Sequence, residues 1–180
     1  MDNPTLSQIC SEIVDCLHET APTQDSGIPS IRTSNIDNGR LDLQGADKVS
    51  EETYEKWTQR SEPRGGDIIL AREAPVGEIG MVPEDQRVCL GQRTVQLRPD
   101  RGKVVPRYLL YLLLSRDLQN RMQSLAAGST VAHLNLSDIR EFSLPSLPSL
   151  PIQRRIADIL GTLDDKIALN RQMNQTLEAM

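Results

Sequence analysis

Ser143-Leu144-Pro145-Ser146-Leu147-Pro148-Ser149-Leu150-Pro151 is one tripeptide written three times, and it constrains the chain more than any other feature. Proline at every third position fixes φ and removes a backbone donor, which excludes helix and central strand and favours a stiff extended segment. It divides the chain into a domain over 1–142, a proline-rich spacer over 143–151 and a helical tail over 152–180. In the tail, Ile156, Leu160, Leu163 and Ile167 recur at alternating four- and three-residue steps, the seam of a coiled coil. Asn170, Asn174 and Leu177 carry on the same register. The helix would span roughly 40 Å at 1.5 Å per residue. Helix-favouring sequence runs to Met180, as expected of a chain that stops abruptly or of a piece of a longer one. The seam needs a partner, and the stiff spacer works against the helix folding back on its own domain, so a two-fold dimer is expected. Arg154 and Arg155 fall in the expected first turn, where cations oppose the helix dipole. They either face an anionic partner or are screened by water.

The first 142 residues mix both kinds of element, and the expected class is α+β. Leu6, Ile9, Cys10, Ile13 and Leu17 have helical spacing, which predicts a helix near 5–18. Ile28–Arg32 reads as a strand, and Asn38-Gly39 is a turn signal before a returning strand at Arg40–Leu43. Ser50 is placed to cap a helix over Glu51–Gln59. Short strands are expected at 67–72, 78–82, 87–90 and 94–98. Pro106 opens a leucine-rich helix, and a second helical stretch runs to Ala126 and stops at Gly128.

Several function classes are poorly served by these residues. No stretch approaches the roughly 20 apolar residues of a membrane span, and the N-terminus lacks a basic-then-apolar leader. A soluble cytoplasmic protein is therefore expected. Cys10, Cys16 and Cys89 form no C-x-x-C pair, and His18 and His133 are the only histidines. That argues against structural zinc and for buried, unreactive thiols. Neither a phosphate-loop nor a dinucleotide-binding glycine motif is present, and the carboxylates are scattered. No catalytic site and no resident cofactor or metal are expected.

Charge is uneven. The whole chain is at −5, yet residues 60–107 hold 9 Lys/Arg against 7 Asp/Glu, and eight of the nine are Arg. Arginine is suited to bidentate contact with guanine or phosphate, although a solvated mixed-charge surface has the same composition. Ala127-Gly128-Ser129-Thr130 offers two hydroxyls and accessible N–H groups that could seat a phosphate. It could equally be a helix C-cap followed by a turn.

Several blocks match a known pattern. Gly27-Ile28-Pro29-Ser30-Ile31-Arg32-Thr33-Ser34-Asn35-Ile36 with Asn38-Gly39 comes first, then Gly66-Asp67-Ile68-Ile69-Leu70-Ala71-Arg72 with Gly77 and Gly80. Gln92-Arg93 before Leu97-Arg98-Pro99 follows, then Gly128-Ser129-Thr130 with His133-Leu134. The proline repeat, Gln153-Arg154-Arg155-Ile156 and Leu163-Asp164-Asp165-Lys166-Ile167 complete the series. In this order and spacing the chain resembles specificity subunits of type I restriction–modification systems over nearly its whole length.

The resemblance implies a mixed α/β target-recognition domain followed by a spacer helix. Two such units pack their helices antiparallel, and each reads half of a split double-stranded DNA site. Methylation subunits carrying S-adenosylmethionine bind alongside, and restriction subunits join to make the nuclease. One unit rather than two stands here, so a half-subunit, natural or truncated, is expected. Arg72, Arg93, Ser129 and Thr130 lie in the matching blocks beside strand or helix ends and are candidates for DNA contact. The competing reading has either arginine paired with a neighbouring Asp or Glu and Ser129 and Thr130 capping. Arg154, Arg155, Ile156, Leu160, Leu163 and Ile167 are the candidate subunit or dimer interface. A coiled-coil adaptor that no longer reads DNA is the alternative function.

Overall fold

The apolar run Ile68–Ala71 forms strand β6 and is buried at every position, because both faces of its sheet are covered. A computed structural model describes residues 3–73, 75–127 and 132–178. In it β6 pairs antiparallel with β9 (Thr94–Pro99) and β7 (Ile79–Met81), and β9 pairs antiparallel with β1 (Cys10–Asp15). The strand order of this four-stranded sheet is β1-β9-β6-β7. Alternation sends Ile68 and Leu70 into the main core with Val95 and Leu97. Ile69 and Ala71 face a second core with Ile31, Ile36, Val82, Val88 and Leu90.

The main core is closed by helices. These are α1 (Leu6–Ile9), α3 (Pro106–Leu113), α4 (Arg116–Ala126) and α5 (Leu136–Arg140), with Ala157 of α6 (Leu150–Glu178). Pro106 sits in the first turn of α3 as expected, and Leu109, Leu110 and Leu113 fill its buried face. The second core is roofed by a smaller sheet, in which β2 (Ile28–Ile31) pairs antiparallel with β5 (Lys48–Val49) and parallel with β8 (Cys89–Leu90). Outside it lies α2 (Glu51–Trp57), whose Thr53 N–H donates to the Ser50 hydroxyl at 3.1 Å.

The hairpin β3 (Ile36–Asp37) to β4 (Arg40–Leu41) turns at Asn38-Gly39, where φ is 43° and 90°. Both residues accept the left-handed conformation that a two-residue hairpin turn requires. The turn lies along β7: Gly39 N–H donates to the Ile79 carbonyl at 2.9 Å, and Met81 N–H donates to the Gly39 carbonyl at 3.1 Å.

Both classes of element in the expected α+β fold are present, and several of the expected elements differ from those observed. The predicted 5–18 helix lasts only from Leu6 to Ile9, after which the chain extends into β1. Antiparallel pairing of Ile13 and Val14 with β9 outweighs the helical spacing, and both side chains are β-branched. The long helix begins at Leu150, two residues earlier than expected. Proline is tolerated in a first helical turn, so Pro151 lies inside it. Arg154 and Arg155 consequently stand in the second turn, where the dipole has largely faded. The proline segment does not hold the helix away either. Leu144 is fully buried, Leu147 packs on the main core and α6 returns along α3.

Candidate nucleic-acid interface

Four segments far apart in sequence meet at one end of the central sheet. Gly91 N–H donates to the Ile31 carbonyl at 2.8 Å, joining the start of the β8–β9 turn to the end of β2. Arg72 N–H donates to the Arg93 carbonyl at 2.9 Å, and Leu134 N–H donates to the Arg72 carbonyl at 2.8 Å. Glu73 and His133 form an isolated antiparallel bridge. The resulting edge carries Arg32, Arg72, Arg93, Glu73 and His133.

The two arginines expected to reach DNA have different environments. Arg72 is 13% exposed, and its Nη1 lies 2.6 Å from Asp15 Oδ2. Its Nε donates to the Leu134 carbonyl at 3.1 Å, so this side chain ties the segment after Thr130 to β6 and β1. That is the competing structural reading. Arg93 is 60% exposed and lies 2.9 Å from Glu73 Oε2, its backbone at φ 67°. Arg32, outside the expected set, is similarly half-exposed and 3.1 Å from Asp47 Oδ2. Exposed ion pairs of this kind contribute about 1 kcal/mol or less, so a phosphate could displace Glu73 or Asp47 from its arginine. Ser129 and Thr130, with Gly128, lie outside the described residues.

Most of the other mid-chain arginines are bound within the molecule, whereas Arg64 is exposed. Arg87 pairs with Glu51, Arg98 with Glu12 and Asp67, Arg101 with Glu84, and Arg107 with Asp165. The Asp67 carboxylate, 4% exposed, accepts from Gln96 Nε2 at 2.7 Å, Arg98 Nη2 at 2.9 Å and Arg64 N–H at 2.9 Å. Gln96 Oε1, beside it, is a buried acceptor without a partner among the described residues. The Ser61 hydroxyl, and then Arg98, hold the Glu12 carboxyl below the usual range. This cluster braces β1, β6 and β9 against one another, so the Gly66-Asp67 block carries architecture rather than a binding group.

Helix α6 presents two faces. One packs on the domain through Gln153, Ala157 and Gly161. Gln153 Oε1 accepts from Val105 N–H at 2.8 Å, and its Nε2 donates to the Pro148 carbonyl at 2.8 Å. The other face is the predicted seam. Ile156 is partly buried against the core, while Leu160, Leu163 and Ile167 are exposed, Leu163 by 52%. Arg154 and Arg155 are exposed too, and neither has an ion-pair partner among the described residues. Sequence reasoning missed the Gln153–Ala157–Gly161 face because small and polar residues carry no apolar periodicity. The spacing of four was the available signal.

All three thiols are buried, and burial pushes Cys10 and Cys89 up to about 12. Among the described residues no group of three or more His, Cys, Asp or Glu is arranged to hold a metal ion. No helix among them is long and apolar enough to cross a membrane.

A family model described as the type I restriction modification DNA specificity domain matches residues 12–179. The chain belongs to that family. The specificity domain described here is 29% identical over 168 residues to the type I restriction enzyme EcoBI specificity subunit of Escherichia coli, covering 90% of this chain and 34% of that protein. It is 29% identical over 134 residues to the MjaIX specificity subunit of Methanocaldococcus jannaschii, covering 74% and 30%. This specificity domain thus spans about a third of the length of these curated relatives. Its fold matches the HsdS subunit of Thermoanaerobacter tengcongensis with a TM-score of 0.63 at 20% identity, covering 93% of this chain and 38% of that one. The type I restriction–modification S subunit from M. genitalium gives 0.67 at 16% identity, covering 98% and 42%.

Proposed function

We propose that this specificity domain reads one half of a split DNA site and directs methylation and restriction subunits to it. The chain supplies recognition; methyl transfer, with its S-adenosylmethionine, and cleavage belong to those cytoplasmic partners. The observation that carries the reading is the convergence of Ile31–Arg32, Arg72–Glu73, Gly91–Arg93 and His133–Leu134 on one sheet edge. That edge holds two exposed arginines in exchangeable ion pairs. Arg93 and Arg32 contact phosphate, Ser129 and Thr130 in the neighbouring segment add hydroxyl donors, and Arg72 shapes the edge from within.

The exposed seam of α6 gives the second element of the proposal. Burying a Leu or Ile side chain contributes about 1.5–3 kcal/mol, so Leu160, Leu163 and Ile167 favour pairing with the same helix of a second copy. An antiparallel pair is self-complementary under two-fold symmetry. Two identical edges then face opposite ways and read a palindrome interrupted by a spacer. Arg154 and Arg155 offer cations to an acidic patch on the methylation subunit. The test is to express the chain with its methylation partner and map the methylated bases across the host DNA. A symmetric two-part motif is expected. Methylation at no defined motif, or at one contiguous half-site only, refutes the reading.

A further inference from the structure

Helix α6 is fastened to the globular part at two places of different chemistry. The first is Gln153, 1% exposed and hydrogen-bonded on both sides of its amide. The second, three turns further on, is a polar clamp at Asp164 and Asp165. Arg107 of α3 lies 3.1 Å from Asp165 Oδ1, and its Nε donates to the Tyr111 hydroxyl at 3.3 Å. That hydroxyl donates to Asp164 Oδ2 at 3.2 Å, and Arg40 of the β3–β4 hairpin donates to the Asp164 carbonyl at 3.0 Å. Two separate elements, α3 through Arg107 and Tyr111 and the β3–β4 hairpin through Arg40, therefore grip the same turn of the helix.

Gly161 makes the clamp sterically feasible. A Cβ there would lie 2.5 Å from the Arg107 guanidinium carbon, so any larger residue pushes Arg107 away from the helix. Glycine is among the least favourable residues for a helix interior, and its placement one turn before Asp165 matches this close approach. Half-exposed ion pairs add little stability. What this set adds is direction. With only its first turns held, by Gln153 and by the packing of Ile156 and Ala157, the helix could pivot; a second polar fastening about 18 Å along the axis from Gln153, at 1.5 Å per residue, removes that freedom.

We infer that the Arg107–Tyr111–Asp164–Asp165 clamp, seated on Gly161 and braced by Arg40, is a rigid joint that sets the interval between the two half-sites read by a paired assembly. The inference rests on the proposed reading of a split site. From Gln153 to Glu178 the helix is a lever of about 38 Å. A swing of about 10° at its root moves the far end by about 7 Å, roughly two base-pair steps of 3.4 Å. Half-site spacing is a geometric property of a two-fold assembly, so loosening the joint blurs the interval without touching the bases recognised. These are positioning residues; none belongs to the DNA-facing edge.

The experiment uses the full chain in complex with its methylation partner. The probes are duplexes carrying the mapped half-sites at intervals from two base pairs shorter to two longer. The wild type is expected to disfavour a one-base-pair change by about tenfold or more, as an imperfect site does. Gly161→Ala and Asp165→Asn are each expected to narrow that preference to about threefold, while the same bases are methylated. Arg107→Lys, which keeps the charge but loses the planar fork, should fall between. Variants that retain the wild-type interval preference overturn the joint, as do variants that lose methylation equally at all intervals. A wild type with no two-part target instead removes the reading beneath it. Spin labels at Glu55 and Thr176 of the chain give a second measurement. Gly161→Ala should broaden their distance distribution, and an unchanged width also overturns the joint.

Discussion

Replacing Asp67 by alanine should be among the most damaging single changes in the domain. Its carboxylate is nearly fully buried and accepts from four donor groups: Gln96 Nε2, the Arg64 backbone N–H, and Nε and Nη2 of Arg98. Removing one member of a buried ion pair typically costs about 3–5 kcal/mol, because the other charge is left uncompensated. Arg98 keeps Glu12 at 2.6 Å and the Glu62 carbonyl at 2.6 Å, which argues for the lower end of that range. Gln96 pushes the other way, since its Oε1 is already unpartnered and the substitution takes a partner from its amide nitrogen too. The expected loss is about 3–4 kcal/mol. For a chain of this length that lowers Tm by about 6–16 °C. Thermal unfolding followed by far-ultraviolet circular dichroism, with calorimetry, reads it directly. Asp85→Ala, at an exposed position, should stay within about 0.5 kcal/mol. Asp67→Leu combined with Arg98→Met should recover part of the loss by removing the stranded charge. An Asp67→Ala shift below about 3 °C, roughly 1 kcal/mol, would show that the cluster does not hold the sheet together.

Three further outcomes are expected. Arg93→Ala should weaken binding of the assembled complex to all duplexes alike and reduce the salt slope by about one unit; an unchanged slope would free Arg93 of any phosphate role. Leu160→Glu with Leu163→Glu should leave circular dichroism intact but shift sedimentation from dimer to monomer, and a mutant that still dimerises would place the interface elsewhere. Acid should destabilise the domain as the pH falls below the ordinary glutamate value of about 4.3. Glu12 titrates lower in the folded state, so its contribution is present above that pH and is lost as the pH drops through the folded-state pKa. Glu12→Gln should flatten that part of the stability profile, and an unaltered slope would refute the assignment.

Local chemistry was legible where a single residue type dictates the backbone. Ser50 caps α2, Pro106 opens α3, and Asn38-Gly39 turns the hairpin, each for reasons contained in a few adjacent residues. The first strand was hidden because its apolar residues satisfy helical spacing, and only pairing with a strand more than eighty residues away decides the outcome. The arginines of 60–107 were visible as a cluster, but charge composition cannot tell which carboxylate will lie opposite each one. Arg72 went to Asp15 and Arg98 to Asp67 through the sheet, whereas Arg93 stayed at the surface. The long helix was found from its apolar seam. Its domain-facing side stayed hidden because Gln153, Ala157 and Gly161 look unremarkable until α3 is set against them.

Trp57, the only tryptophan, is half-buried on the outermost cluster with Ala21, Ile28, Val49, Tyr54 and Cys89, and Lys56 Nζ lies 5.1 Å from its ring. That places the chain's one strong fluorophore on the small sheet, with the second core between it and the helices of the main core. Its emission therefore reports the loosening of α2 and the small sheet, whereas circular dichroism follows the helices. Stability within one domain can be layered, with peripheral units opening before the centre. A red shift that precedes the loss of ellipticity would reveal such a layer, and coincident curves would mean that the two sheets melt as one. The same fluorophore, on the opposite side of the second core from the Gln153 anchor, should be blind to events along α6, so pairing of two helices would leave its spectrum unchanged.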